Sequence, residues 1–157
     1  MFDLRLRRRG FSLIELLIVI AIILIIMTFV GTKMVNALRY TKETAALASI
    51  NTLHQAQVQY NSQYNRFANS LTELGPPASG STSAAAADVI NNDLANGEKN
   101  GYKFTMTGNA GGYQILAVPV RFGVDGSRTF YSDQTMVVRE NIGPEPATVN
   151  SKEVGSK

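Results

Sequence analysis

The chain has 157 residues, of which 15 are lysine or arginine and 12 are aspartate or glutamate, with one histidine and no cysteine. The first ten residues hold four arginines and Asp3, which leaves 11 basic and 11 acidic residues and a formal charge of zero in the remainder. This balance argues against a nucleic-acid-binding protein. The missing cysteine excludes a disulfide framework and thiol catalysis.

A long apolar stretch follows directly on a basic leader. The leader, residues 1–10, ends in Gly10, and residues 11–32 read FSLIELLIVIAIILIIMTFVGT with Glu15 as their one charge. A helix of about 22 residues rises ~33 Å, which is enough to cross the hydrocarbon core of a bilayer. We therefore expect residues 11–32 to span a membrane, and the arginines favour a cytoplasmic leader and an exported remainder.

The junction between leader and apolar stretch suggests how the chain is processed. A secretory signal is cut after its apolar segment at a site of small residues, and residues 16–33 contain no such site. Cleavage at the Gly10–Phe11 bond would instead make Phe11 the new N-terminus, one helical turn before Glu15. Two opposite charges ~4 Å apart attract by about 4 kcal/mol at an effective dielectric constant of ~20. Glu15 is expected to pair with the Phe11 amine of a neighbouring subunit; the alternatives are pairing with its own amine or protonation.

The run RRRGFSLIELLIVIAIILI, residues 7–25, resembles the N-terminus of type IV pilins and of the pseudopilins of type II secretion. The resemblance implies that a prepilin peptidase cuts after Gly10, that Phe11 is N-methylated, and that Glu15 guides addition of subunits to a growing helical filament. Two departures stand out. Many family members close a C-terminal loop with a disulfide, and many place a proline near Gly31, where this chain should have a softer hinge.

Residues 33–67 contain no proline or glycine and are expected to continue the helix as the amphipathic half of a helical spine. Apolar residues at steps of three or four should pack on a small β-sheet: Ile50, Leu53, Ala56, Tyr60, Tyr64 and Phe67. Polar residues should lie elsewhere: Gln55, Gln57, Gln59, Asn61 and Arg66. Packing is a simpler explanation of the aromatic series than electron transport or base stacking.

Residues 68–100 are predicted to be a loop with short helices. Residues 70–74 should form one helical turn, because Ser70 and Glu73 have the spacing of a capping box. Residues 75–83, rich in Gly, Pro and Ser, should be irregular. A second helix is predicted over residues 84–95, followed by a stop at Asn96 and Gly97.

Residues 101–140 are predicted to form an antiparallel β-sheet head. The strands should cover residues 102–107, 113–120, 129–132 and 135–139, joined as a meander, with Pro119 at a strand end or edge. Gly108, Gly111 and Gly112 suggest a hairpin turn rather than a phosphate loop, since no helix follows them. Residues 141–157 should be a polar tail, lying over the surface or partly disordered.

The sequence offers no catalytic, cofactor-binding or metal-ligating constellation. His54 lacks a partner nucleophile, so a surface or interface role is expected for it. Asp125 and Asp133 lie in turn sequences where aspartate stabilises the backbone by local hydrogen bonds, and a calcium site there is the less favoured alternative. Asp88 and Asp93 should lie on a solvated face. We expect no enzyme and no cofactor.

These observations favour an α+β pilin-like subunit of a type IV pilus, which polymerises through its N-terminal helix. The alternatives are a pseudopilin of a type II secretion system and a membrane-tethered binding or adhesive domain that never polymerises. The expected partners are other copies of the chain, prepilin peptidase, an inner-membrane assembly platform with minor pilins, and membrane lipid before assembly. The expected location is the bacterial inner membrane, and then an extracellular pilus or a periplasmic pseudopilus.

Overall fold

The computed structural model describes residues 11–109 and 111–156, and for residues 29–33 it describes the backbone alone. The predicted leader, residues 1–10 with Gly10, lies outside the described residues. The chain divides into two compact units, Met1–Asn36 and Ala37–Lys157, here called the N-terminal unit and the head unit.

The first helix, α1, covers Leu13–Tyr64 and continues through residues 29–33. It ends because Asn65 adopts a left-handed conformation, with φ of 54°, while its amide donates to the Asn61 carbonyl oxygen at 2.8 Å. The predicted end at Phe67 is therefore too late. Among the described residues, no helix combines the length and the hydropathy needed to cross a bilayer. The predicted span, residues 11–32, includes residues 29–33, whose side chains lie outside the described part of the chain.

Two one-turn helices follow among the described residues of the head unit. The predicted turn at residues 70–74 is confirmed as α2, Leu71–Leu74, although Glu73 accepts from the Asn69 amide (3.1 Å) and the Ser70 side chain makes no capping bond. The predicted helix over residues 84–95 is wrong except for α3, Asn92–Ala95. The preceding residues form a turn at 84–85 and an irregular segment instead, in which Asp88 takes a left-handed φ of 57° and the amides of Val89 and Ile90 donate to the Leu74 carbonyl oxygen.

The sheet is an antiparallel meander, as predicted, with neighbouring strands in chain order. Within the described part of the chain it has six strands rather than the expected four. Their bounds are Glu98–Lys99 (β1), Tyr102–Asn109 (β2), Gly112–Pro119 (β3), Arg128–Asp133 (β4), Arg139–Ile142 (β5) and Lys152–Glu153 (β6). Pro119 ends β3, so its predicted position at a strand end is confirmed.

The C-terminal part of the sheet differs from the prediction. No strand covers residues 135–138, because Asp133 accepts from the Thr135 amide (2.9 Å) and Met136 takes a left-handed φ of 61°. The fourth predicted strand is displaced to β5. The expected tail runs over the surface, where its residues 152–153 pair with β5 and its Ala147 is buried.

The core of the head unit lies between α1 and one face of the sheet. Four residues of the predicted helical stripe are buried, namely Ile50, Leu53, Ala56 and Tyr60, whereas Tyr64 and Phe67 are partly buried against the same core. The sheet contributes alternating residues, namely Tyr102, Phe104, Met106, Tyr113, Ile115, Ala117 and Phe130. The predicted position of Gln57 away from the sheet is wrong, because its side chain is fully buried.

The hairpin predicted at the glycine cluster is confirmed, but its turn is shorter than expected. Gly108 and Gly112 belong to β2 and β3, and Gly108 pairs with Tyr113. A side chain at Gly108 would collide with the backbone carbonyl of Ala68, and the Gly108 amide donates to the Asn69 carbonyl oxygen at 3.2 Å. This glycine therefore permits a close approach of two backbones.

Candidate functional site

The predicted cleavage junction lies at the boundary of the described residues. Gly10 is outside the described residues, while the Phe11 side chain is 84% exposed and precedes α1. Helical hydrogen bonding begins at Ser12, whose carbonyl oxygen accepts from the Leu16 amide at 3.2 Å. Serine is a preferred residue at this position. Phe11 therefore stands outside the helix.

Glu15 occupies the first turn of α1, and its side chain is exposed. A carboxylate in the first turn is favoured by the helix dipole. Glu15 forms no ion pair with any described residue. The amine postulated as its partner does not exist until the bond before Phe11 is cut.

The helix around Glu15 presents apolar side chains on all sides. Every large apolar residue from Phe11 to Met27 is at least 45% exposed. A helix that is apolar all round requires burial by lipid or by other protein. Burying a single Leu or Ile contributes about 1.5–3 kcal/mol, so burial of such a surface far outweighs the few kcal/mol that one carboxylate costs.

Within the head unit, Glu43 and Asp125 fasten α1 to the segment that follows β3. Glu43 accepts from the Ser127 amide (2.8 Å) and from the Arg128 guanidinium (2.7 Å), and Asp125 accepts from Lys42 (2.7 Å) and Arg121 (2.9 Å). Burial alone would raise the pKa of Glu43, but the hydrogen bonds from Ser127 and Arg128 outweigh it and lower that pKa. The head unit therefore neutralises its buried carboxylates internally.

The same contacts correct the prediction for Asp125. Its oxygens bind two cationic side chains, Arg121 and Lys42, which hold the pKa of the carboxyl well below its ordinary value. A calcium ion would have to displace both. Asp133, in contrast, accepts from the Thr135 amide and hydroxyl (2.9 and 2.6 Å), so local backbone stabilisation is confirmed there. The described residues contain no group of three or more potential metal-ligating side chains.

His54 is buried, so its predicted surface or interface role is wrong. Its Nδ1 lies 2.8 Å from the Tyr113 hydroxyl and its Nε2 lies 2.9 Å from Ser132 Oγ. Ser132 donates its own proton to the Val137 carbonyl oxygen (2.9 Å), so Nε2 must donate to Ser132 and Nδ1 must accept from Tyr113. Ser132 is fully buried, and this histidine–serine pair therefore braces the core.

Gln57 is a structural residue that the sequence pattern missed. Its amide nitrogen donates to the Ala68 carbonyl oxygen (3.0 Å) and its amide oxygen accepts from the Ala68 amide (2.9 Å). This pair of bonds fastens the chain after α1 back onto the helix. Gln57 lies four residues after Leu53, on the core-facing stripe, and that spacing is the signal that could have identified it.

Comparison with known proteins finds one family model, the Prokaryotic N-terminal methylation motif, which matches residues 5–31. This match contains Gly10, Phe11 and Glu15. It confirms the predicted resemblance of the segment to the N-terminus of type IV pilins and pseudopilins. No curated protein and no solved structure matches the chain. The individual roles of the three residues stay predictions.

Proposed function

Because residues 5–31 carry the N-terminal methylation motif that is the hallmark of type IV pilins and pseudopilins, we propose that this chain is the structural subunit of a type IV pilus. Prepilin peptidase cuts the precursor after Gly10, Phe11 becomes the methylated N-terminus, and the subunit enters a helical filament through residues 11–32. The role is structural and requires no catalytic group.

The observation that supports this proposal best is the exposure of the apolar helix around Glu15. In the N-terminal unit no large apolar side chain from Phe11 to Met27 is buried, so the burial must come from outside the chain. Before assembly, lipid of the inner membrane covers residues 11–32, which span it. After assembly, the same residues of neighbouring copies replace the lipid, while an assembly platform and minor pilins supply the site and the work of extraction.

Glu15 fixes the register in this proposal. A charged carboxylate within an apolar layer needs a cation, and cleavage creates one at Phe11. Pairing Glu15 with the Phe11 amine of the adjoining copy sets the axial position of each added subunit. The observation behind this step is that Glu15 has no ionic partner among the described residues.

Processing and assembly have separate tests. Mass spectrometry of the mature chain should find it starting at N-methylated Phe11; a chain that keeps Met1 would contradict the proposal and favour a membrane-tethered domain. Glu15→Ala should abolish filaments seen by electron microscopy, whereas Thr28→Ala in the same helix should not. Long surface fibres identify a pilus, and a secretion defect without fibres identifies a pseudopilus in the periplasm.

A further inference from the structure

The head unit has an exposed surface that combines apolar and basic side chains. It is formed by α1 residues at the beginning of the head unit and by the loop after β3. We call this surface the Phe122 rim, and it comprises Leu38, Arg39, Lys42, Arg121, Phe122 and Val124. Phe122 is 44% exposed and Val124 52% exposed.

The loop of the rim is a turn that is held by backbone hydrogen bonds. The amides of Val124 and Asp125 both donate to the Arg121 carbonyl oxygen (3.1 and 2.9 Å), and the Gly123 amide donates to the Gly126 carbonyl oxygen (2.8 Å). Asp125 then fastens the turn to α1 through Lys42. Phe122 and Val124 are thus held in an exposed position by surrounding bonds, which is typical of an interaction surface.

The rim has an excess of positive charge. Arg39, Lys42 and Arg121 are opposed by Asp125, because Glu43 is already engaged by Arg128. Arg121 is 67% exposed and retains donors for a further acceptor. A phosphate oxygen supplies both a negative charge and an acceptor for these groups.

We propose that the Phe122 rim docks on the headgroup region of an anionic bilayer while the subunit is still in the membrane. This inference rests on the proposed function, because it requires residues 11–32 to span the bilayer. Leu38 is six positions after Thr32, so the chain alone keeps Leu38 within about 21 Å of the end of the span at any angle between the two units. Aromatic, aliphatic and basic side chains together are the composition that binds lipid headgroups.

This docking gives the unassembled subunit a second attachment to the membrane. Phe122 and Val124 enter the boundary between headgroups and acyl chains, and Arg39 and Arg121 bind lipid phosphates. The contact is lost when the subunit is extracted. A rim variant should therefore leave the membrane more readily than the wild type.

Single-cysteine variants test the proposal, since the chain has no cysteine of its own. A polarity-sensitive fluorophore is placed at Val124→Cys in the rim, at Ile20→Cys in the apolar helix, or at Thr82→Cys, an exposed position in the loop between α2 and α3. The full chain is reconstituted in vesicles of phosphatidylcholine with phosphatidylglycerol that carry shallow or deep spin-label quenchers. The shallow quencher should act on the Val124 probe at least ~2-fold more strongly than on the Thr82 probe, and less in phosphatidylcholine alone.

The outcomes separate this inference from the proposed function. If the Ile20 probe is quenched by the deep label and the Val124 probe behaves like the Thr82 probe, the rim does not dock and the spanning helix stands. If the Ile20 probe is not quenched, both ideas fail. Shielding of Val124 that depends on protein concentration in detergent would identify a second copy as the occupant and overturn lipid docking.

Charge variants provide the matched control. Arg39→Gln and Arg121→Gln together should remove the preference of the Val124 probe for phosphatidylglycerol, whereas Lys103→Gln, which removes an exposed cation from β2, should not. An unchanged preference in the double variant would overturn the role of the rim arginines. Near-UV circular dichroism of the tyrosines shows that each variant is folded.

Discussion

The two units of the chain differ in the burial of the same residue type along one helix. Leu17 is 54% exposed in the N-terminal unit, whereas Leu53 is fully buried in the head unit. Around Leu53 the chain supplies its own covering surface, and the sequence there alternates between apolar and polar faces. Around Leu17 all faces are apolar. A helix of this kind is covered by lipid or by other protein.

The carboxylates of α1 repeat this contrast. Glu43 is buried and receives bonds from Ser127 and Arg128, whereas Glu15 has no ionic partner among the described residues. A buried charge is tolerated only where a partner is present. The head unit therefore pairs its buried carboxylate Glu43 when it folds. In our proposal, the carboxylate of Glu15 in the N-terminal unit is paired only when subunits assemble.

The largest expected effects come from exchanging one leucine in each unit. Leu53→Ala should lower the free energy of unfolding of the head by about 2–5 kcal/mol, because it removes a fully buried side chain and leaves a cavity. Leu17→Ala, the same exchange at an exposed position, should leave that free energy unchanged and weaken filament assembly instead. Urea titration of the full chain in detergent measures the first effect.

Tyrosine near-UV circular dichroism is the suitable signal for that titration. All six tyrosines lie from Tyr40 to Tyr131, within the head unit, so the signal reports on the head alone. Equal midpoints for the two variants would show that the difference in burial between the units has no energetic consequence.

Breaking an internal ion pair should have the next largest effect. Glu43→Gln should cost roughly 3 kcal/mol of the free energy of unfolding, because it leaves Arg128 with one carboxylate, Glu140, in a largely buried site. Glu153→Gln breaks the Arg139 pair, whose carboxylate side is 54% exposed, and should cost less than about 1 kcal/mol. Similar losses in both variants would contradict the importance of burial.

The sequence predicts the parts of this molecule whose signals are local or repeated. The motif at residues 5–31 is continuous, the stripe from Ile50 to Tyr60 repeats along one helix face, and the strands after residue 101 are dominated by β-forming residues. Each of these features is specified by neighbours in the chain. The antiparallel meander follows because short connections join consecutive strands.

The missed features depend on contacts between distant residues. The alanines at 84–87 favour a helix. The Ala87 amide instead donates to the Glu73 carbonyl oxygen, and no helix forms at these residues. The sequence predicts a surface or interface role for His54 and misses its burial, because its partners, Tyr113 and Ser132, lie on strands far away in the sequence. The partner of Glu15 is likewise not readable from its neighbours in the sequence, since our proposal places that partner on another molecule.

A smaller loss is expected from Gln57. Gln57→Leu keeps the volume of the side chain but leaves the amide and the carbonyl oxygen of Ala68 without their partners, which should cost about 1–3 kcal/mol of the free energy of unfolding. Gln59→Leu, two positions on and exposed, should change it by less than about 0.5 kcal/mol. If both variants are equally stable, the Gln57–Ala68 bonds do not hold the segment after α1.

The smallest effect is a pH dependence that involves the head unit alone. Burial lowers the pKa of His54, and the negative charge of Asp133 only partly offsets this. The unfolded chain therefore binds a proton at a higher pH than the folded chain does, and stability falls as the pH drops below about 6.5 until it passes the folded pKa. One proton limits the slope to about 1.4 kcal/mol per pH unit.

The carboxylates do not obscure this window. The pKa values of Glu43, Glu73 and Asp133 are lowered in the folded head, so their contributions are lost as the pH falls below about 5. Urea titrations from about pH 7.5 to about pH 5.5 should thus show a slope in the wild type that His54→Gln removes. A slope that persists in this variant would assign the proton to another group. Glu15→Gln should leave the pH dependence of the head's stability unchanged, because Glu15 belongs to the N-terminal unit and forms no ion pair with a described residue of the head.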